Sequence, residues 1–303
     1  MTLILNAVLP VFLVVALGYG LKRLRFLGPR GWGAVTKLAY YVFFPAFLVP
    51  AIWGADFRGL DAGPLALTVA TAAGLAGAVL FVARPVVPLS GPSYSSLFQG
   101  VLRWNSFVFL PIVANLYGQQ GLALAGIVIA ALVPVVNILC VLALSKYAQG
   151  GGGLRRALRP LLTNPILLAC FAGLVLNAAQ VPHWGVLDKV MDRMGDAALP
   201  LGLLLAGSGL NFTALRGRLP TLGAICALKL GVMPLVMLGL AKFYGANELA
   251  QAIALLVGAS PGAAASYVLA RQMGGDAPLM AGVVAATTSL SLITLPLTIA
   301  WFL

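Results

Sequence analysis

The sequence predicts an all-α integral membrane protein of ten transmembrane helices. They form a 5+5 inverted repeat with broken, crossing fourth and ninth helices. Three observations carry this. Of 303 residues, 61% are hydrophobic and 9% charged, with a mean hydropathy of +1.02; a soluble domain carries roughly 25% charged residues. Apolar runs of about 20 residues, the length that crosses the hydrocarbon, recur along the whole chain. The two halves also echo each other at a nearly constant lag.

The runs fall at roughly 3–21, 35–54, 63–83, 94–117, 121–146, 161–179, 189–209, 219–243, 248–272 and 277–301. Between them lie turn signals such as "GPRGWG", "GLDAG", "SGPSYSS", "GQQG", "QGGGG", "VPHWG", "RGRLP" and "GGDAP". The opening "MTLILNAVLP" has neither a basic stretch nor a small-residue cleavage site, so it reads as a retained first helix. Trp32, Trp53, Trp184 and Trp301 sit near predicted ends, as an interfacial belt requires, while Trp104 does not.

The net charge of +12 lies in short clusters between the apolar runs. That is the pattern of positive-inside flanks rather than of a nucleic-acid surface, so no nucleic-acid partner is expected. With ten spans, one set of loops carries Lys22, Arg23, Arg25, Arg30, Lys37, Arg84, Lys146, Arg155, Arg156, Arg159, Arg216, Arg218 and Arg271. The other set carries only Arg58, Lys189, Arg193 and Lys242. The expected location is the cell (inner) membrane, with both termini non-cytoplasmic. Cys140, Cys170 and Cys226 lie in apolar runs and do not read as a disulfide framework.

The repeat is carried by several matches. Pro10 and Pro165, Pro45 and Pro200, and "GADF" at 54–57 and "GLNF" at 209–212 are each 155 residues apart. "LAG" with "IVIAA" at 124–131 matches "MAG" with "VVAA" at 280–286 at a lag of 156. The chain thus divides into a first repeat over 1–145, a cytoplasmic linker over 146–160 and a second repeat over 161–303. Five spans per repeat insert the second copy upside down, as in many secondary transporters.

The fourth run contains "RWNSFVFLPIVANLYG" at 103–118, with Arg103, Asn105, Ser106 and Pro111 at a depth where lipid is expected. The lag of 156 places Asn105 and Ser106 on Pro261 and Gly262, inside "GASPGAAASY". Pro111 on one side and Gly258, Ser260, Pro261 and Gly262 on the other are read as helix-breaking. Broken backbone at membrane depth survives only inside protein or against water. Two such breaks meeting near the midplane would offer half-helix N-termini to an anion, with Asn105 adding amide donors that do not titrate. Ser96, Gln99 and Arg103, spaced three and four apart, share one helix face and are expected to line a cavity open to the cytoplasm. Lys229 lies mid-span in "ALKLGVMPL". It either titrates during transport or holds the broken helices by bonding free carbonyls, with the second role favoured.

Several chemistries are excluded. All seven acidic residues lie in loops or at span ends, and the single histidine, His183, is in a loop. That leaves no acid–base dyad, no buried-aspartate exchanger and no metal cluster. No phosphate-binding loop occurs either. No enzyme activity and no cofactor are expected.

These residues resemble the auxin efflux carrier family in its short bacterial form, over nearly the whole chain. The resemblance rests on "LRWNSFVFLPIVANLYG" at 102–118, "GASPGAAASYVLARQMGGD" at 258–276, "LKLGVMPL" at 228–235 and the ten-span plan. It implies a scaffold of spans 1, 2, 6 and 7, a transport unit of spans 3–5 and 8–10, elevator-like motion, and homodimers within the membrane lipid. It also implies an organic-anion substrate, with the family's crossover asparagine at Asn105 and Ser260, Gly262 and Ser266 on the second crossover. In plant members that asparagine follows a proline; here it follows Trp104, which favours a small carboxylate such as malate or malonate over auxin. A sodium-coupled symporter of the bile-acid-carrier type and a non-transporting membrane sensor are the alternatives. Glu248 and Gln251 are the candidate sodium ligands for the first of these.

Overall fold

The computed structural model describes residues 2–148, 163–215 and 218–302. Most of the predicted linker, with Arg155, Arg156 and Arg159, lies outside the described residues, as does Arg216. Within the described residues the chain is helical, with no strand. The helices are α1 (Thr2–Arg23), α2 (Pro29–Leu38), α3 (Phe44–Trp53), α4 (Ala62–Ala83), α5 (Gly91–Leu102), α6 (Ser106–Tyr147) and α7 (Pro165–Ala178). They continue as α8 (Gly185–Gly195), α9 (Ala198–Ser208), α10 (Leu219–Cys226), α11 (Met233–Phe243), α12 (Glu248–Ala259), α13 (Ala265–Gln272) and α14 (Ala277–Phe302). Five helical runs among the described residues are long and apolar enough to cross a membrane: 29–53, 62–86, 91–147, 219–243 and 277–302.

Helix boundaries follow local chemistry. Asn164 caps α7, its Oδ1 accepting the N–H groups of Ile166 and Leu167, and Asn247 caps α12 through Ala250 N–H. The "GPRGWG" stretch, expected as a loop, is instead the first turn of α2. Gly28 is extended there and Pro29 stands at the first helical position, where its missing N–H costs nothing. The run expected at 189–209 starts earlier and divides into α8 and α9 around Asp196.

Two π-helical turns escaped the sequence reading: Ala39–Phe43 joins α2 to α3, and Ala227–Val232 joins α10 to α11. Each is followed within two residues by a proline, Pro45 and Pro234. A proline ring crowds the carbonyl four residues back, and a widened turn relieves that clash without ending the helix. Pro111 behaves similarly and corrects an expectation: it lies inside α6 rather than at a break. The real interruptions are at 103–105, at 260–264, and at Gly118, whose φ of 53° and ψ of −140° leave helical space inside α6.

Packing places the breaks side by side. α1 lies against α9 so closely that a Cβ on Gly18 would overlap Leu204 O, and one on Gly207 would overlap Val15 O. α3 packs on α7 and α8. α4 packs on α6 and α11, and α12 lies between α11 and α6. α5 contacts α6, α13 and α14. Gly258, read from sequence as a helix breaker, is within α12 and serves this packing: a Cβ there would lie 2.7 Å from Pro234 Cα and 3.0 Å from Met233 O.

Candidate functional site

The first break begins where Arg103 turns to extended backbone after α5. Asn105, also extended, is the N-cap of α6: its Oδ1 accepts the Phe107 N–H at 3.0 Å, and its carbonyl accepts from Val108 and Phe109. An asparagine suits this place because its short side chain reaches back to the open N–H groups of a first helical turn. Asn105 is 4% exposed. Its Nδ2 hydrogens have no partner among the described residues.

The second break follows Ala259. Ser260 is extended, and its hydroxyl donates back to Leu256 O at 2.8 Å. Lys229, buried in the widened turn, donates from Nζ to Gly258 O at 3.2 Å. Two carbonyls of the last turn of α12, which the break leaves without helical partners, are thereby met. Gly262 donates its N–H to Thr287 Oγ1 at 3.0 Å, while Thr287 donates to Val283 O at 2.7 Å. The two breaks touch directly, for Asn105 N–H donates to Pro261 O at 2.8 Å.

The structure thus brings Asn105, Ser106, Ser260, Pro261, Gly262 and Lys229 into one neighbourhood through named bonds and adjacency. Ser266 is fully buried in the first turn of α13. The expected polar face of α5 is divided. Ser96 donates to Asp276 O at 2.9 Å, Gln99 is fully buried, and the Arg103 guanidinium turns to Asn137 Oδ1 on α6. Two cavities, of about 520 and 650 Å³, lie elsewhere and share Gly54, Ala55 and His183 in their linings. No group of three or more His, Cys, Asp or Glu side chains that could hold a metal occurs among the described residues.

Asn137, Thr287 and Asp276 were missed by sequence reading. Asn137 stands alone in "VVNILC", and a lone amide in an apolar run is itself a signal. Thr287 gave none, because threonine satisfies its hydroxyl on its own helix and so sits freely in apolar runs.

Electrostatically the meeting point is cationic. The N-terminal ends of α6 and α13 and the buried Lys229 side chain are its charged or dipolar features, while the Arg103 guanidinium is turned to Asn137. All seven carboxylates of the chain lie outside the two breaks.

Comparison with known proteins agrees with a transport role. The model of a family described as membrane transport protein matches residues 154–299. An uncharacterized transporter of Methanothermobacter thermautotrophicus is 26% identical over 294 residues, covering 96% of each chain.

Proposed function

We propose that the chain, which resembles membrane transport proteins over residues 154–299 and along its length, is a multi-pass transporter that carries small organic anions, carboxylates such as malate, malonate or auxin-like acids, by elevator-type alternating access. The observation that carries this reading is the bond from Asn105 N–H to Pro261 O, which joins two unwound segments beside a free amide donor. A carboxylate would bind with one oxygen on Asn105 Nδ2 and the other facing the N-terminal turn of α6, where the Ser106 N–H is unused. Lys229 supplies positive charge from behind the second break. Ser260, Gly262 and Ser266 shape its wall.

The inverted 5+5 plan belongs to the same proposal. Its support is that α1–α3 pack mainly on α7–α9, while α4 and α5 pack with α10–α14, and α6 runs between the two sets and touches both. This is the division a scaffold and a moving unit require. Homodimers through the scaffold, an inner-membrane location and outward termini complete the reading.

Uptake or efflux of radiolabelled malate and malonate in proteoliposomes tests it. Counterflow by the parent protein and its loss in Asn105→Ala support the assignment; flux of a cation and no anion would overturn it. Flux independent of a sodium gradient is expected.

A further inference from the structure

The breaks leave unexplained a set of buried polar groups on α5 and α13, two helices in contact. Gln99 is fully buried, and neither its Nε2 nor its Oε1 has a partner; the Ser266 hydroxyl is equally buried and equally alone. Their helices share a seam. A Cβ on Gly275, just past α13, would lie 3.2 Å from Ser95 Oγ and 3.3 Å from Ala270 Cα. One turn onward from Ser95 along α5 is Gln99, and one turn back from Ala270 along α13 is Ser266, both toward the breaks. A buried amide or hydroxyl with no partner is costly, roughly 1–3 kcal/mol each. Both would be satisfied if water reached the seam.

The outer end of the seam is held by one residue. Asp276 donates its N–H to Pro92 O at 3.1 Å and accepts the Ser96 hydroxyl on its own carbonyl at 2.9 Å. Its Oδ2 accepts from Ser93 at 2.8 Å and pairs with Arg218, and its Oδ1 accepts the Leu279 N–H at 2.9 Å. Asp276 thus ties the start of α5, the start of α14 and the residue before α10 together across the end of α13. The helix it confines is eight residues long. Unwound residues 260–264 precede it, and Gly274, at φ 75°, with Gly275 follows it. Segments bounded by such flexible joints are those that swing as units.

We propose that the α5–α13 seam is a gated polar passage to the breaks, shut in this structure and latched at its outer end by Asp276. Release of the Asp276 contacts lets α13 move off α5 and admits water to Gln99 and Ser266. The proposal rests on the anion-site reading only for what the passage leads to. The opening itself is a property of this chain and is read without transport.

The test uses the full chain in lipid nanodiscs with Cys140, Cys170 and Cys226 replaced by alanine and Ser266→Cys as the reporter. Modification by a small charged methanethiosulfonate should be slow with the latch intact. It should be about tenfold faster or more with Asp276→Asn or Arg218→Gln added, since local opening sets access to a buried group. Hydrogen exchange on the same variants should quicken in α5 and α13 and stay unchanged in α1 and α9. Equal labelling rates with and without the latch overturn the proposal. So does faster exchange spread over all helices, which would make Asp276 a general stability element. Loss of anion flux with these signatures intact would overturn the substrate reading alone.

Discussion

Asn105 donates its backbone N–H to the carbonyl of Pro261 over 2.8 Å, and the two residues are the pair that the 156-residue lag read from the sequence sets against each other. The bond has a plain cause. Each residue lies in unwound backbone, so each carries a group with no helical partner, and at membrane depth an unmet backbone group costs several kcal/mol. Each break meets part of the other's need.

Separating the two roles of Asn105 is the most direct test of the site. Asn105→Asp keeps the acceptor that caps Phe107 but removes the amide donors and adds negative charge. Its thermal midpoint should stay near that of the parent while anion flux falls to background. Asn105→Ala should lose flux and also about 0.5–2 kcal/mol of stability, the usual cost of a lost N-cap. Parallel melting curves and counterflow assays check both.

Lys229 is expected to act through the helix end it bonds. Lys229→Met removes the donor to Gly258 O and should lower stability by about 1–3 kcal/mol, the cost of a buried acceptor left unmet. Flux measured across pH should keep its shape while its amplitude drops. A changed pH profile would instead assign Lys229 a titrating role.

Close packing at Gly258 gives a steric prediction. Gly258→Ala pushes a methyl to 2.7 Å from Pro234 Cα, and overpacking of this kind costs typically about 1–3 kcal/mol. Gly223→Ala, with nothing within 4 Å of the added carbon, should match the parent. A denaturation series on the two variants separates steric cost from a general effect of losing glycine.

Acid should act through Asp276, which lies in a loop outside the spans. Burial pushes its carboxyl up, but hydrogen bonds from Leu279, Arg218 and Ser93, with the Arg218 charge, outweigh this and hold it below its ordinary value of 3.8. A depressed carboxylate contributes stability that is complete above the ordinary value and lost as pH falls through the lower folded one. The parent should therefore lose stability below about pH 4, and Asp276→Asn should be less stable at neutral pH with a flatter acid limb. Thermal melts between pH 3 and 7 read this.

The helical, apolar membrane-spanning character of the chain and the unwinding near 105 and 261 were legible because apolar length and isolated polar residues are properties of the local sequence. Pro111 carries a local signal of helix breaking, yet it lies inside α6, and the chain unwinds at 103–105 instead. A proline early in a helix gives up few backbone bonds, whereas a capping asparagine starts a new helix. The division of Ser96, Gln99 and Arg103 among three surroundings was not legible. Helical spacing gives a shared face but says nothing of the helices that cover it.

By itself the sequence determined that this chain lives in a bilayer, where helix can run, and that two matched positions carry chemistry unsuited to lipid. Hydropathy and helical period are sums over neighbours, and neighbours are what a sequence records. Only the tertiary structure decided that Lys229 meets Gly258, that Asn105 meets Pro261 and that Asp276 gathers three helix ends. Those contacts form between backbone groups and side chains far apart in the chain, and packing alone selects which donor reaches which carbonyl.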